Sequence, residues 1–307
     1  MDNQSLNIVV IGAGMMGSGI AAGFHAQGCE VALLLRDAAQ CEAVTQQVLS
    51  LSREIGAARP PGSLTVKPMQ AMDSPGQWQG VSLVIETVKE DLAIKQRLFE
   101  WLASRVPAGV PIGSNSSGFP ISRIAAGLPT RSRMFGMHYF MPAHLVPLVE
   151  VVLGADSDPE LAQRVCAMFT ATAKKPVLVK RDIAGFLANR IQHALMREVL
   201  SLVDSGIASP ADIDLAVRYS FGFRYAAIGP IMQKEMSGWD TNANAAREIF
   251  PTLSNTAEVP ECIERLVAQG KLGMKSGEGF FAWTPETAQA ARAAYNERLA
   301  AALKLLE

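Results

Sequence analysis

Cysteine is scarce in this chain: four among 307 residues, at Cys29, Cys41, Cys166 and Cys262, with no paired spacing. Disulfide frameworks and zinc sites both need tighter patterns, so the reading is reduced thiols, no metal site and a cytoplasmic protein. Charge is thin and balanced, at 19% of residues, with 28 basic against 29 acidic and a formal net charge of -1. No lysine or arginine block stands out, which argues against a nucleic-acid partner. No apolar run approaches the roughly 20 residues that a membrane span requires. The apolar opening from Leu6 to Ile20 lacks a basic leader and carries glycines with another explanation. A soluble protein with no membrane partner is expected.

The length is about twice that of a typical single domain, and 49% of the residues are hydrophobic, so two well-buried domains are the natural expectation. Residues 7–11 (NIVVI) form a short β-branched run, followed at once by GAGMMGSG and a helical stretch to Gln27, closed by Gly28. A second run at 31–35 completes a βαβ unit. Further strand patterns fall at 81–86, 110–112, 134–138, 148–152 and 177–180, with a helix carrying Leu92, Lys95, Leu98 and Phe99 after the first of them. Such alternation predicts a Rossmann-type, doubly wound α/β sheet.

After Asp182 the pattern turns helical. Residues 183–205 read as one long amphipathic helix, Ser209-Pro210 as a helix start, and Thr284-Pro285 as the start of a last, alanine-rich helix. The expected division is a dinucleotide-binding domain at 1–182 and an all-helical domain for substrate and dimerisation at 183–307.

Gly12, Gly14 and Gly17 make the G-x-G-x-x-G fingerprint, with Met15 and Met16 inside it. Its physical logic is a tight turn, a close backbone approach to a pyrophosphate, and a helix N-terminus that stabilises anions. Strand, glycine turn, helix and second strand are all in place, which favours a dinucleotide over an ordinary turn. The second strand of such a unit usually ends in an acid that binds the ribose hydroxyls. Here that position falls on or near Leu35, with Arg36 and Asp37 next. Two readings stand open: Asp37 binds the ribose of NAD, or Arg36 pairs with the 2′-phosphate of NADP.

The stretch RMFGMHYFMPAHLVPLVEVV places His138 at the end of one apolar run and Glu150 inside the next. A proline-bearing turn between them can bring the two strands side by side. The carboxylate would then hold one imidazole nitrogen and leave the other to exchange a proton with an alcohol. Taken alone, the two residues would more often be a structural pair.

Four segments together resemble the L-3-hydroxyacyl-CoA dehydrogenase family: GAGMMGSG, VIETVKEDLAIKQRLF, SNSSGFPIS with HYFMPAHLVPLVEVV, and DIAGFLANR. The resemblance runs over nearly the whole chain, to KLGMKSGEGFFAW at 271–283. It implies that His138 is the catalytic base and Glu150 its orienting partner. Ser117 takes the place of the serine that hydrogen-bonds the substrate oxygen, and Asn189 that of the asparagine at the domain junction. Family cofactor contacts fall on Glu90, Lys95 and Lys275. A family of 3-hydroxyisobutyrate-type dehydrogenases instead uses a lysine four residues before such an asparagine, where this chain has Gly185. One departure stands out: Met141 occupies a position where the family carries an asparagine, and pocket lining is its plain reading.

The C-terminal half resembles the branch that holds gulonate 3-dehydrogenase (lambda-crystallin), carnitine dehydrogenase and a pyridoxine-degradation dehydrogenase. That branch acts on small carboxylate-bearing molecules. Between Ala38 and Gly80 only Arg53, Arg59 and Lys67 are basic, a poor cradle for coenzyme A. Arg224, beside Phe223 and Tyr225, is a candidate carboxylate anchor, with a salt bridge or inter-subunit contact as its plain reading. The leading expectation is an NAD- or NADP-dependent dehydrogenase of a small hydroxy acid, acting as a homodimer. A 3-hydroxyacyl-CoA dehydrogenase and a non-enzymatic, crystallin-like dinucleotide-binding protein are the alternatives.

Overall fold

The structure, a computed structural model, describes residues 6–56 and 60–306. Arg59 lies outside the described residues. The chain divides into two compact units, Met1–Arg190 and Ile191–Glu307.

The first unit is a doubly wound α/β domain of Rossmann type. Its eight-stranded sheet has the order β3-β2-β1-β4-β5-β6-β7-β8. The strands are β1 Asn7–Ile11, β2 Glu30–Leu35, β3 Leu64–Pro68, β4 Leu83–Glu86, β5 Ile112–Ser114, β6 Met134–Tyr139, β7 Leu148–Leu153 and β8 Lys175–Val179. All pairings are parallel except β6 with β7. The helices of this unit are α1 Met15–Ala26, α2 Cys41–Ile55, α3 Leu92–Ala103, α4 Ile121–Ile124 and α5 Pro159–Ala171.

Strand residues alternate between two cores, as the period of two requires. Ile8, Val10, Leu33, Leu35, Phe135, Met137, Val149 and Val151 face one core with α1, α2 and α5. Val9, Ile11, Leu34, Val84, Ile112 and Met134 face the other, with Leu98, Phe99 and Leu102 of α3. Each fully buried side chain of this size stabilises the domain by about 1.5–3 kcal/mol. The same alternation puts His138 and Glu150 on the face away from Met137 and Val151.

α2 and β3 add to the elements expected from the sequence. β3 is a five-residue edge strand, and none of its residues is fully buried, so its apolar signal is weak. The long helix expected from 183 begins only at Ala188, as α6 Ala188–Asp204. Gly185 and Phe186 stand at φ +74° and +48°, a left-handed turn incompatible with helix. Residues 183–190 are counted in the first unit, and β7 holds the backbone of 187 and 188, as described below.

The second unit is helical: the rest of α6, then α7 Pro210–Val217, α8 Phe223–Ala227, α9 Pro230–Ser237, α10 Trp239–Ile249, α11 Glu261–Ala268 and α12 Pro285–Leu303. Ser209 and Thr284 cap α7 and α12 through their hydroxyls. Among its described residues only Leu200, Ile213, Cys262 and Ala288 are buried hydrophobics. This unit holds little core of its own.

Candidate active site

Gly12 follows β1 with φ +108°, and its N–H donates to Leu34 O at 2.9 Å. A Cβ there would lie 2.7–2.9 Å from Thr87, and one on Gly17 would lie 1.8 Å from Gly12 O. Gly14 is the N-cap of α1, and a Cβ on it would meet nothing within 4 Å. Two glycines are therefore needed for closure of the turn, and the third leaves its approach open. The first turn of α1 has no side-chain cap and no acid, so its free N–H groups form an anion site. These features fit the pyrophosphate of a dinucleotide. Met15 is 67% exposed at this turn, while Met16 packs against the core.

Beside the turn lies a cleft of about 740 Å³, the size of a cofactor site. Arg36 and Asp37 both line it, at the tip of β2. Leu35, the last residue of β2, is buried in the core. The Asp37 carboxylate accepts from Ala39 N–H at 3.1 Å and from Gln40 Nε2 at 3.3 Å, capping a short 3-10 turn.

A buried polar network, largely unforeseen from sequence, lies under the next loop. Glu86 ends β4 with 0% exposure. It accepts from Val88 N–H at 2.6 Å, Lys95 Nζ at 2.8 Å and Ser114 Oγ at 2.7 Å. Lys95 is 1% exposed, and its ammonium also reaches Glu90 at 3.2 Å and Val88 O at 3.3 Å. Glu90 in turn accepts from Ser116 Oγ and, at 2.9 Å, from Gly118 N–H. Burial would raise the Glu90 pKa, but these hydrogen bonds and the Lys95 charge hold it below the usual carboxylate value. Loop 114–119 is thus fixed from beneath by two carboxylates around one ammonium. Asn115 ties the same loop to β6, because its Oδ1 accepts from Tyr139 N–H at 2.9 Å. Acidic and hydroxyl side chains around a buried lysine were the available signal, in VIETVKEDLAIK followed by SNSS.

That loop carries Ser117, which is exposed, with its Oγ 2.8 Å from His138 Nε2. His138 Nδ1 lies 2.8 Å from Glu150 Oε2, and the two residues are register partners across β6 and β7. The imidazole is 2% exposed and packs against Phe140 and Phe186, with ring centroids at 4.6 and 5.3 Å. Glu150 is fully buried, and its other oxygen accepts from Leu187 N–H at 3.0 Å and Ala188 N–H at 2.7 Å, at the start of α6. Burial alone would raise the Glu150 pKa, yet the His138 and backbone hydrogen bonds outweigh it and lower it. An ionised carboxylate only accepts, so Nδ1 carries the proton and Nε2 of a neutral ring keeps its lone pair toward Ser117. Such an imidazole can take a proton from an alcohol.

A family model for the 3-hydroxyacyl-CoA dehydrogenase NAD binding domain matches residues 7–183, and one for the C-terminal domain matches residues 185–283. The chain belongs to the 3-hydroxyacyl-CoA dehydrogenase family. It is an NAD(P)-dependent dehydrogenase acting on CH–OH groups. It is 32% identical over 306 residues to 5-formyl-3-hydroxy-2-methylpyridine 4-carboxylate 5-dehydrogenase of Mesorhizobium japonicum, with 98% of each chain covered. The crystal structure of such a 5-dehydrogenase, described as an NAD+ dependent dismutase, superposes with a TM-score of 0.90 at 30% identity, over 99% of each chain. L-carnitine dehydrogenase of Oceanobacillus iheyensis is 29% identical over 270 residues, covering 84% of this chain and 86% of its own.

The remaining residues expected of a 3-hydroxyacyl-CoA dehydrogenase family site lie as follows. Asn189 is the second residue of α6, directly after the Ala188 N–H that Glu150 holds. Met141 is 61% exposed, just beyond β6. In the second unit, Arg224 is exposed on α8 and its Nε donates to Ser220 O at 3.1 Å. Lys275 is exposed and lines a hollow of about 500 Å³ with Trp283 and Arg292. Among the described residues no helix is long and apolar enough to cross a membrane.

Proposed function

We propose that the protein transfers a hydride between a nicotinamide and the secondary alcohol or ketone carbon of a small carboxylate-bearing hydroxy acid. The observation that carries this reading is His138, buried between Ser117 Oγ and Glu150 Oε2 at 2.8 Å on either side. His138 is the general base: its Nε2 takes the hydroxyl proton of the alcohol as the hydride leaves carbon, and returns it in reduction. Glu150 fixes the tautomer and stabilises the imidazolium that forms. Ser117 hydrogen-bonds the substrate oxygen, and Asn189 is placed to orient the same group from the start of α6. When bound, NAD accepts the hydride. Gly12, Gly14, Met15, Met16 and Gly17 would hold its pyrophosphate, and Glu90 would border its site with the buried Lys95 beneath it. Lys275, in the second unit, is a further cofactor contact that the family resemblance implies.

Two observations favour a small acid over a coenzyme A thioester. The region from Ala38 to Gly80 is poor in basic residues. The relative matched over 98% of both chains is named for a pyridine carboxylate, a small molecule. Met141, in place of an asparagine, lines the substrate side, and Arg224 anchors the carboxylate. The cofactor reading extends to NADP because Leu35 replaces the usual acid and Arg36 follows it. The protein works in the cytosol, in keeping with free thiols at Cys41, Cys166 and Cys262. It is a homodimer formed through the helical domain from residue 183 on, since Ile191, Leu195, Phe223 and Tyr225 are all at least 40% exposed.

The test is a panel of small hydroxy acids and one 3-hydroxyacyl-CoA thioester, assayed with NAD and NADP by nicotinamide absorbance. Turnover on the acids supports the reading. Turnover on the thioester alone assigns the coenzyme A branch instead, and a complete lack of turnover leaves a dinucleotide-binding protein.

A further inference from the structure

The cleft beside the glycine turn carries more positive charge than a pyrophosphate requires. Arg36 at the tip of β2, Lys89 after β4 and Arg97 on α3 all line it, and Asp37 is the only acid among its lining residues. The Asp37 carboxylate is already engaged by Ala39 and Gln40. Among the described residues neither Arg36 nor Arg97 has an ion pair or side-chain hydrogen bond. Both guanidinium groups are exposed at the cleft, from elements 61 residues apart in the chain.

The wall that carries Arg97 has a further property. Ile94, Leu98 and Trp101 also line the cleft, at helical positions i, i+4 and i+7, so one face of α3 is turned toward it. This face is apolar and ends in the Trp101 ring, suited to a heteroaromatic base. Trp101 is held in place by the edge of Trp78, with centroids 5.7 Å apart, and by Arg105 at 4.6 Å over its ring. Arg97 stands at the side of that wall.

We infer that Arg97 and Arg36 are the two arms of a subsite for the ribose 2′-phosphate of a dinucleotide, the group that separates NADP from NAD. The inference rests on the reading of the cleft as the dinucleotide site. An acid at the end of β2 would bind the ribose hydroxyls and repel a phosphate. Leu35 does neither: it has no charge and is buried in the core. A phosphate there meets two guanidinium groups against the single Asp37 carboxylate, whose oxygens already accept from Ala39 and Gln40. Arg36 was legible from its place after β2, whereas Arg97 reaches the subsite only through the packing of α3.

Calorimetric titration of the full chain with adenosine 5′-phosphate and adenosine 2′,5′-bisphosphate tests this without turnover. The wild type binds the bisphosphate about tenfold or more tightly than the monophosphate. Arg97→Ala and Arg36→Ala each weaken the bisphosphate by about tenfold and leave the monophosphate within about twofold. Both side chains are exposed, so unchanged melting curves verify that the variants are folded. Equal wild-type affinity for the two ligands overturns the inference and leaves the dinucleotide reading standing. Equal weakening of both ligands by Arg97→Ala overturns it too, making Arg97 a support for the base. Failure of both ligands to bind the wild type removes the dinucleotide reading of this cleft along with it.

Discussion

His138 and Glu150 sit directly opposite each other on the antiparallel strands β6 and β7, with Nδ1 and Oε2 2.8 Å apart. A cross-strand pair on the same face of a sheet is held by backbone hydrogen bonds on both sides, so its geometry does not depend on two flexible side chains meeting by chance. Glu150 adds a second constraint by accepting from the N–H groups of Leu187 and Ala188. One buried carboxylate therefore aligns the imidazole and the first turn of α6, where Asn189 stands.

The first prediction separates base from orienter. His138→Ala lowers turnover by about 10²–10⁴-fold with NAD binding retained. Glu150→Gln keeps the shape but lets Nδ1 accept, which places the proton on Nε2 and blocks base action. Turnover falls by a comparable factor of about 10²–10⁴. Steady-state rates and fluorescence titration of NADH check both, and a variant retaining most of its turnover excludes that residue from the proposed role.

Acid sensitivity follows from the lowered Glu150 pKa. A carboxylate whose folded pKa is depressed stabilises the fold fully above its unfolded value, near the ordinary 4.5, and this is lost as pH falls through the folded value. Urea unfolding between about pH 3 and pH 7 should show the wild type losing stability below about pH 4.5, and Glu150→Gln with a flatter acid limb. Identical pH dependence of the two would show that the carboxylate is not ionised by its partners.

Lys95 neutralises Glu86 in a site that excludes water. Lys95→Met leaves an uncompensated buried carboxylate and costs about 3–5 kcal/mol of stability. Adding Glu86→Gln removes the stranded charge and recovers much of the loss. Denaturant titration of both variants measures this. A single variant as stable as wild type would mean the pair contributes nothing.

Lys174 gives a prediction of the same sign on the alkaline side. The residue is 8% exposed, its ammonium donates to Ala143 O at 2.8 Å and Val146 O at 2.9 Å, and burial lowers its pKa from 10.5 to about 8. Between these values the unfolded chain binds the extra proton, so stability rises with pH. The unfolding free energy of the wild type should gain about 3 kcal/mol on that of Lys174→Met from pH 8 to pH 10.5. A pH-independent difference would refute the shifted lysine.

Assembly is the last prediction. The second unit has four buried hydrophobics among its described residues, while Leu195, Met196, Val199, Ile213 and Phe281 line an apolar groove of about 620 Å³. A helical unit with so little core of its own calls for a partner surface. Light scattering at micromolar concentration should return twice the 32.9 kDa of one chain. A single-chain mass refutes the dimer.

The sequence by itself determined what is local. The glycine turn, the strand before it and the helix after it follow from φ freedom, β-branched runs and helix start signals within some twenty residues of one another. The strands of His138 and Glu150 were legible because a proline turn joins neighbouring apolar runs. Only the tertiary structure decided what depends on register between distant strands and on helix packing. Ser117 meets His138 because β5 and β6 lie parallel with Ser114 opposite Gly136. Glu86 finds Ser114 through the register of β4 with β5, and Arg97 reaches the cleft of Arg36 through the face that α3 buries. Hydrophobic period fixes which face a residue takes, but the partner on that face is chosen by burial summed over the whole sheet, which no short stretch of sequence contains.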